Sequence, residues 1–289
     1  MNIFKALFGG TKEDSEESKK EHEKKDFEIL KYDGVRALHA RQAEYAVKCF
    51  RHALDMRDDD ETRDYLSQAL IANNEMNEAL KEMKILSEKV GDNVELYLRM
   101  ANVAYMAEEY QEMHDACEKA LAVEPDNDKV MYSMALAYEG LSRREDAISE
   151  LTKIIDASEE AYGAKLLRGG LYIKAGNNEA ALADAKALDE KYPDDEDVLM
   201  LMAQAEHKLQ NLDAAEELCG RVIDLDPFST AAFAERAAIR GEKGNKDGEK
   251  EDLDVLIELN PQETGTPDDN PARTMEQKMK DNVINPLGL

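Results

Sequence analysis

Basic charge, cysteine and long apolar runs are all scarce in this chain, and each scarcity removes a class of function. Against 64 Asp and Glu stand only 37 Lys and Arg, a formal net charge of −27 over 289 residues. An acidic surface repels phosphate, so nucleic acid is not expected as a ligand, and a basic or largely apolar protein partner fits better. The three cysteines, Cys49, Cys117 and Cys219, lie far apart in sequence. They cannot build a disulfide framework and read as small apolar fillers in a reducing compartment. No stretch approaches the roughly 20 apolar residues of a membrane span. Residues 1–10 lack the longer apolar run and small-residue cleavage site of a signal peptide. The expectation is a cytoplasmic protein.

The signatures of chemistry are missing too. There is no phosphate loop, dinucleotide glycine pattern, nucleophile elbow or His-Glu-x-x-His. The five histidines (22, 39, 52, 114 and 207) are scattered without metal-ligand spacing. Asp126-Asn127-Asp128 and the acidic run 194–197 start like calcium loops but lack the glycine and closing glutamate such a loop needs. They sit where helices are expected to begin, and acidic residues there favour the helix dipole. No enzyme, no cofactor and no metal site is expected.

What the chain does have is a period. Gly34, Ser67, Ala101, Ala135, Gly169, Ala203 and Ala237 follow one another at 33 residues once and 34 thereafter. A second column, Ala46, Ala79, Met113, Ala147, Ala181, Ala215 and Glu249, runs in the same register, and Pro125, Pro193, Pro227 and Pro261 make a third. Small residues at fixed offsets every 34 residues mark stacked helical hairpins. Residues 128–161 illustrate the unit. Met131, Met134, Ala135 and Tyr138 fall on one helical stripe, a polar turn follows Gly140, and Ala147, Leu151 and Ile154 form a second stripe. Neither helix buries its stripe without the other.

The chain divides accordingly. Residues 1–10 are a short apolar arm and 11–26 a charge-dense spacer that is either helical or disordered. Seven units follow, at about 27–59, 60–93, 94–127, 128–161, 162–195, 196–229 and 230–263. In the last, Glu249 takes the small residue's place, which suits a terminal repeat with a polar, outward final helix. Residues 264–289 hold Pro267, Pro271 and Pro286 and read as mostly irregular. Thr274 and Gln277 can cap one short helix to about Val283.

These columns resemble the tetratricopeptide repeat, whose unit favours small residues in both helices and proline after the second. The third unit supplies Ala101, Met113, Ala120 and Pro125, and the sixth Ala203, Ala215, Val222 and Pro227. There are departures: the chain has no tryptophan, and Arg63 and Lys165 stand at a normally apolar position, which suggests locally looser packing or a helix phase off by one. The resemblance implies an all-α, right-handed superhelical solenoid whose first helices line a concave groove. Its groove-facing positions fall here on Lys31, Tyr65, Gln68, Arg99, Asn102, Tyr105 and Tyr132, with His207, Leu201 and Lys174 among the later ones. Tyrosines beside amides suit an extended peptide, since Tyr offers apolar area with a polar tip and Asn or Gln grips backbone. Arg99 is positioned to meet a carboxylate on that peptide. The clamp by which some members hold acidic chaperone termini is not matched, because Glu95 has the wrong sign.

The functional expectation is a scaffold or adaptor that binds an extended peptide or partner protein in the groove. The second reading is a structural self-assembly protein, a homo-oligomer whose arm docks in a neighbour's groove. On a helix Met1, Phe4, Leu7 and Phe8 share one face, and docking, membrane contact and an idle terminus are all open to it. A single lysine and an acidic spacer weigh against the membrane.

Overall fold

The computed structural model describes residues 12–158 and 160–260, and every regular element in them is an α-helix. Two compact units divide at Asp126 and Asn127. The first holds α1 (Lys12–His39), α2 (Ala43–Met56), α3 (Asp60–Ala72), α4 (Met76–Val90), α5 (Val94–Met106) and α6 (Tyr110–Val123). The second holds α7 (Asp128–Gly140), α8 (Arg144–Ala157), α9 (Tyr162–Ala175) and α10 (Asn178–Asp189), then α11 (Glu196–Lys208), α12 (Leu212–Leu225), α13 (Thr230–Glu242) and α14 (Lys246–Leu259). Consecutive helices pair as hairpins, and within each unit successive hairpins pack on one another. The charge-dense spacer from Lys12 onward resolves in favour of helix, since α1 runs unbroken from Lys12 to His39 as the first helix of the first hairpin. The arm, residues 1–10, and the expected tail helix, 274–283, lie outside the described residues. No described helix is long and apolar enough to cross a membrane.

Each hairpin turns by the same device. One or two residues past the first helix of the pair the chain takes a left-handed backbone: Arg41, Asn74, Glu108, Ser142, Gly176, Gln210 and Gly244 all have φ between 56° and 79°. At Asn74 the amide bonds to the Ile71 carbonyl at 3.0 Å and the next amide, Glu75, reaches Leu70 at 2.8 Å. That pair of bonds satisfies carbonyls the helix would otherwise leave open. Glycine adopts this conformation freely, whereas Glu108, Ser142 and Gln210 each give up roughly 1–2 kcal/mol. The turn is therefore set by the packing of the two helices, not by the residue in it.

Both small-residue columns are buried from end to end except at Glu249, which is half-exposed. Contact is closest at two glycines. A methyl on Gly34 would stand 2.6 Å from the Phe50 ring, and one on Gly169 would stand 2.5 Å from Leu201. In the last hairpin the glutamate is accommodated because it faces Gly241. The polar final helix expected from sequence needs correction, however: α14 exposes Leu253 and Ile257 as well as its charges.

Between hairpins, side chains cap the incoming helix at Asp59, Asn93, Asn127 and Asp195. Asp59 accepts from the Thr62 amide at 3.0 Å, the Thr62 hydroxyl at 2.7 Å and Lys31 Nζ at 3.1 Å. Burial pushes its carboxyl up, but the Thr62 hydrogen bonds and then Lys31 outweigh it, holding it at about 2 against an ordinary 3.8. A lowered folded-state value means that its stabilisation is complete above about 3.8 and is lost as pH falls through about 2. Asp59→Ala is expected to cost about 1–2 kcal/mol at neutral pH. Urea unfolding over a pH series should show the variant losing less on acidification than the wild type. Parallel acid limbs would count against the cap.

Candidate functional site

Of the seven groove residues expected from sequence, six belong to the first unit. Tyr65 and Gln68 sit one helical turn apart on α3, and Arg99, Asn102 and Tyr105 occupy successive turns of α5. The two helices are joined at this surface by a residue that sequence reasoning passed over. Asp64 lies 2.9 Å from Arg99 Nη1 and accepts from Gln68 Nε2 at 2.8 Å. Both polar groups expected to face a ligand are thus turned onto one internal carboxylate. Its only sequence signal was an acid one residue before Tyr65.

Lys31 is placed differently from the sequence expectation. It is buried, with its ammonium on Asp59 and Glu61, so it ties α1 to the start of α3 and offers no charge to a ligand. Tyr65 is half-buried and stacks on Phe50 at 5.7 Å between ring centroids, with the planes 14° apart. Tyr105 meets Tyr110 edge-on at 6.3 Å. Asn102 is half-buried, and its amide has no hydrogen-bond partner among the described residues. Tyr132 is on α7 in the second unit, half-buried, 3.7 Å from where a Gly163 side chain would begin.

In the second unit the expected later groove residues are largely committed. Leu201 is buried over Gly169. Lys174 pairs with Glu139 at 2.6 Å. His207 is buried with Nδ1 2.6 Å from Glu235 and Nε2 3.2 Å from Glu242. The unit also contains two buried ion pairs that follow the repeat. Arg168 grips Asp184 with two hydrogen bonds of 2.8 and 2.7 Å, and Arg236 grips Asp252 at 3.0 and 2.7 Å. Both pairs span 16 residues within one hairpin and lie 68 residues, two repeats, apart. Met100, Met134 and Met202 hold the arginine's place in other hairpins, which was the signal available in sequence. Arg63 is likewise held by Glu82 and Asp58 rather than loosely packed.

Nothing in this inventory is poised for catalysis. Burial pushes the Cys117 and Cys219 thiols up to about 12, so neither carries a reactive thiolate. His114, Asp115 and Glu118 bring donor atoms within 4.8 Å of one another on α6, a grouping the histidine spacing alone did not suggest. Two of the three are exposed carboxylates on one helical turn, an ordinary arrangement on an acidic surface.

A tetratricopeptide-repeat family model matches residues 140–205 and 172–239. Residues 140–239 carry tetratricopeptide repeats. Among solved structures, a tetratricopeptide repeat protein from Parabacteroides merdae ATCC 43184 matches 89% of this chain and 100% of its own length, at 15% identity and a TM-score of 0.66. YrrB, described as a TPR protein with an unusual peptide-binding site, matches 64% of this chain and 96% of its own, at 22% identity and a TM-score of 0.51. MamA from Desulfovibrio magneticus RS-1, from residue 41 onward, matches 61% and 99%, at 18% identity and a TM-score of 0.55. At these identities the likeness establishes the fold and nothing finer. No curated protein matches the sequence significantly. Tetratricopeptide repeats are generally protein–protein interaction modules, and no enzyme family is indicated.

Proposed function

We propose that the first unit is a peptide-binding scaffold whose α3–α5 surface takes an extended segment of a basic or uncharged partner. The observation that carries this is the state of the polar groups there. Lys31 and Arg99 are both neutralised by carboxylates of the same chain, while the half-exposed Asn102 amide has no partner among the described residues and stays open to solvent between Arg99 and Tyr105. An acidic ligand would have to displace Asp64, and the chain's charge of −27 opposes its approach. A lysine-bearing or neutral segment meets neither obstacle, and its backbone can pair with the free amide. The carboxylate-bearing peptide expected from Arg99 in the sequence is therefore replaced by one of the opposite character. The peptide-binding site in the description of YrrB supports the mode by analogy of fold. A repeat array also suits the task because it loses little entropy on binding.

The test is capture from native lysate by the full chain and by an Asn102→Ala/Tyr105→Ala variant, read by mass spectrometry. Labelled peptides scanned from captured proteins are then titrated by fluorescence polarisation. Binding is expected to concentrate in lysine-containing or neutral peptides, and to weaken about tenfold or more in the double variant, equivalent to about 1.4 kcal/mol. Asp64→Asn should reduce the preference for lysine over glutamate peptides. Equal binding by wild type and double variant would remove the site from this surface.

A further inference from the structure

The loops between hairpins in the second unit display an aromatic ring where the other repeats carry polar groups. The residue after the column proline is Asp126, Asp194 or Gln262 in three repeats and Phe228 in the sixth. Phe228 is 73% exposed. Leu225, at the end of α12, is 46% exposed, and Tyr192, in the preceding loop between hairpins, is 37% exposed. Both loops are fixed from within. Tyr192 meets Tyr162 of α9 edge-on at 5.1 Å between ring centroids, and Asp195 accepts from the Tyr162 hydroxyl at 2.8 Å. The Phe228 amide donates to Asp226 Oδ1 at 3.0 Å and the Ser229 amide to the Asp226 carbonyl at 3.1 Å, which closes the turn. Arg221 of α12 joins the two loops by pairing with Asp194 at 2.7 Å, one helical turn before Leu225. None of these contacts uses the Phe228 ring, so the fold holds in water an aromatic side chain that it does not use.

We propose that this loop edge, with Phe228 at its centre, docks a partner segment that carries an aromatic or aliphatic residue flanked by lysine or arginine. The edge is a different surface from α3–α5, and the claim does not rest on the peptide site there. Charge identifies the occupant. Residues 190–197 and 221–229 hold seven Asp and Glu against two cations, Lys191 and Arg221, and Arg221 is already bound to Asp194. Glu190, Glu196 and Asp224 are exposed and form no ion pair among the described residues. A cation beside the apolar anchor gains from that field, whereas a second copy of this chain, at −27, approaches with the same sign. The open face of the Phe228 ring also suits a cation–π contact with the flanking lysine or arginine. Aromatic residues are enriched at protein interfaces and dominate their energetics. Because the turn and the loop are closed by their own hydrogen bonds, binding requires little further ordering.

The experiment pans a displayed library of random peptides on the full chain after depletion on Phe228→Ser, then titrates labelled winners by fluorescence polarisation. Phe228 is exposed, so the variant keeps its fold, which circular dichroism verifies. Enriched peptides are expected to share one aromatic or aliphatic residue with lysine or arginine beside it. Their affinity should fall about tenfold or more in Phe228→Ser and hold in Phe228→Tyr. It should fall about threefold in Asp224→Lys and weaken with added salt. Asn102→Ala/Tyr105→Ala should leave it unchanged, which separates this edge from the α3–α5 surface. No enrichment above background would overturn the proposal, and so would winners that lack cations or bind Phe228→Ser equally well. A wild-type dimer that Phe228→Ser abolishes, read by light scattering, would assign the edge to a second copy and overturn it as well.

Discussion

Replacing Asp184 with alanine is expected to destabilise the second unit by about 3–5 kcal/mol, because it strands the Arg168 guanidinium inside the α9–α10 hairpin without its counter-charge. Arg168 spends three of its donors internally, two on Asp184 and one on Thr152 Oγ1 at 2.9 Å. Removing both charges should cost far less. The third hairpin shows the apolar version, with Met100 and Ala116 at the corresponding places and both buried. Arg168→Met/Asp184→Ala is therefore expected to lie within about 1.5 kcal/mol of the wild type, since the buried charge leaves together with its partner. Urea unfolding followed by circular dichroism compares the single and double variants. If both unfold at the same midpoint, the ion pair has no special claim on this hairpin.

The second large effect is at the Gly34–Phe50 contact. Phe50 is fully buried, with one face toward the backbone at Gly34 and a ring stacked on Tyr65. Phe50→Ala is expected to cost about 3–5 kcal/mol as transfer and cavity contributions combine. Gly34→Ala alone should cost about 1–3 kcal/mol, because the ring is held by Tyr65 and cannot yield to the new methyl. Together the two should cost less than their sum by about 1 kcal/mol or more, since the methyl then enters vacated space. Strict additivity would place the clash elsewhere. Loss of the Phe50 ring also removes the platform under Tyr65, so peptide affinity should fall in a Phe50→Leu variant that remains folded.

These experiments divide along the line between what periodicity encodes and what it leaves open. The small-residue columns were legible because each one marks a place where two helix backbones approach, and close approach admits few side chains. Gly34 and Gly169 are the strict cases, with a ring and a leucine occupying the space a methyl would need. The left-handed turn was legible only at Asn74, Gly176 and Gly244, because packing imposes the same backbone on Arg41, Glu108, Ser142 and Gln210. Tyr65, Asn102 and Tyr105 came to the expected helices because helical spacing fixes which face a residue occupies. The committed state of Arg99 and Lys31 was hidden, and so was the exposure of Leu253 and Ile257 on α14.

Sequence alone determined that this chain folds as paired helices repeating every 34 residues, and which side of each helix is buried. Those properties depend on side-chain size and local periodicity, both of which act along the chain. Only the tertiary structure decided which charges are spent and which groups remain for a partner. Asp64 meets Arg99 across 35 residues of sequence, and Asp184 meets Arg168 from the opposite helix of its hairpin. Neutralisation is a property of distance in space, set when helices from different segments come within about 3 Å, and a linear register does not state it.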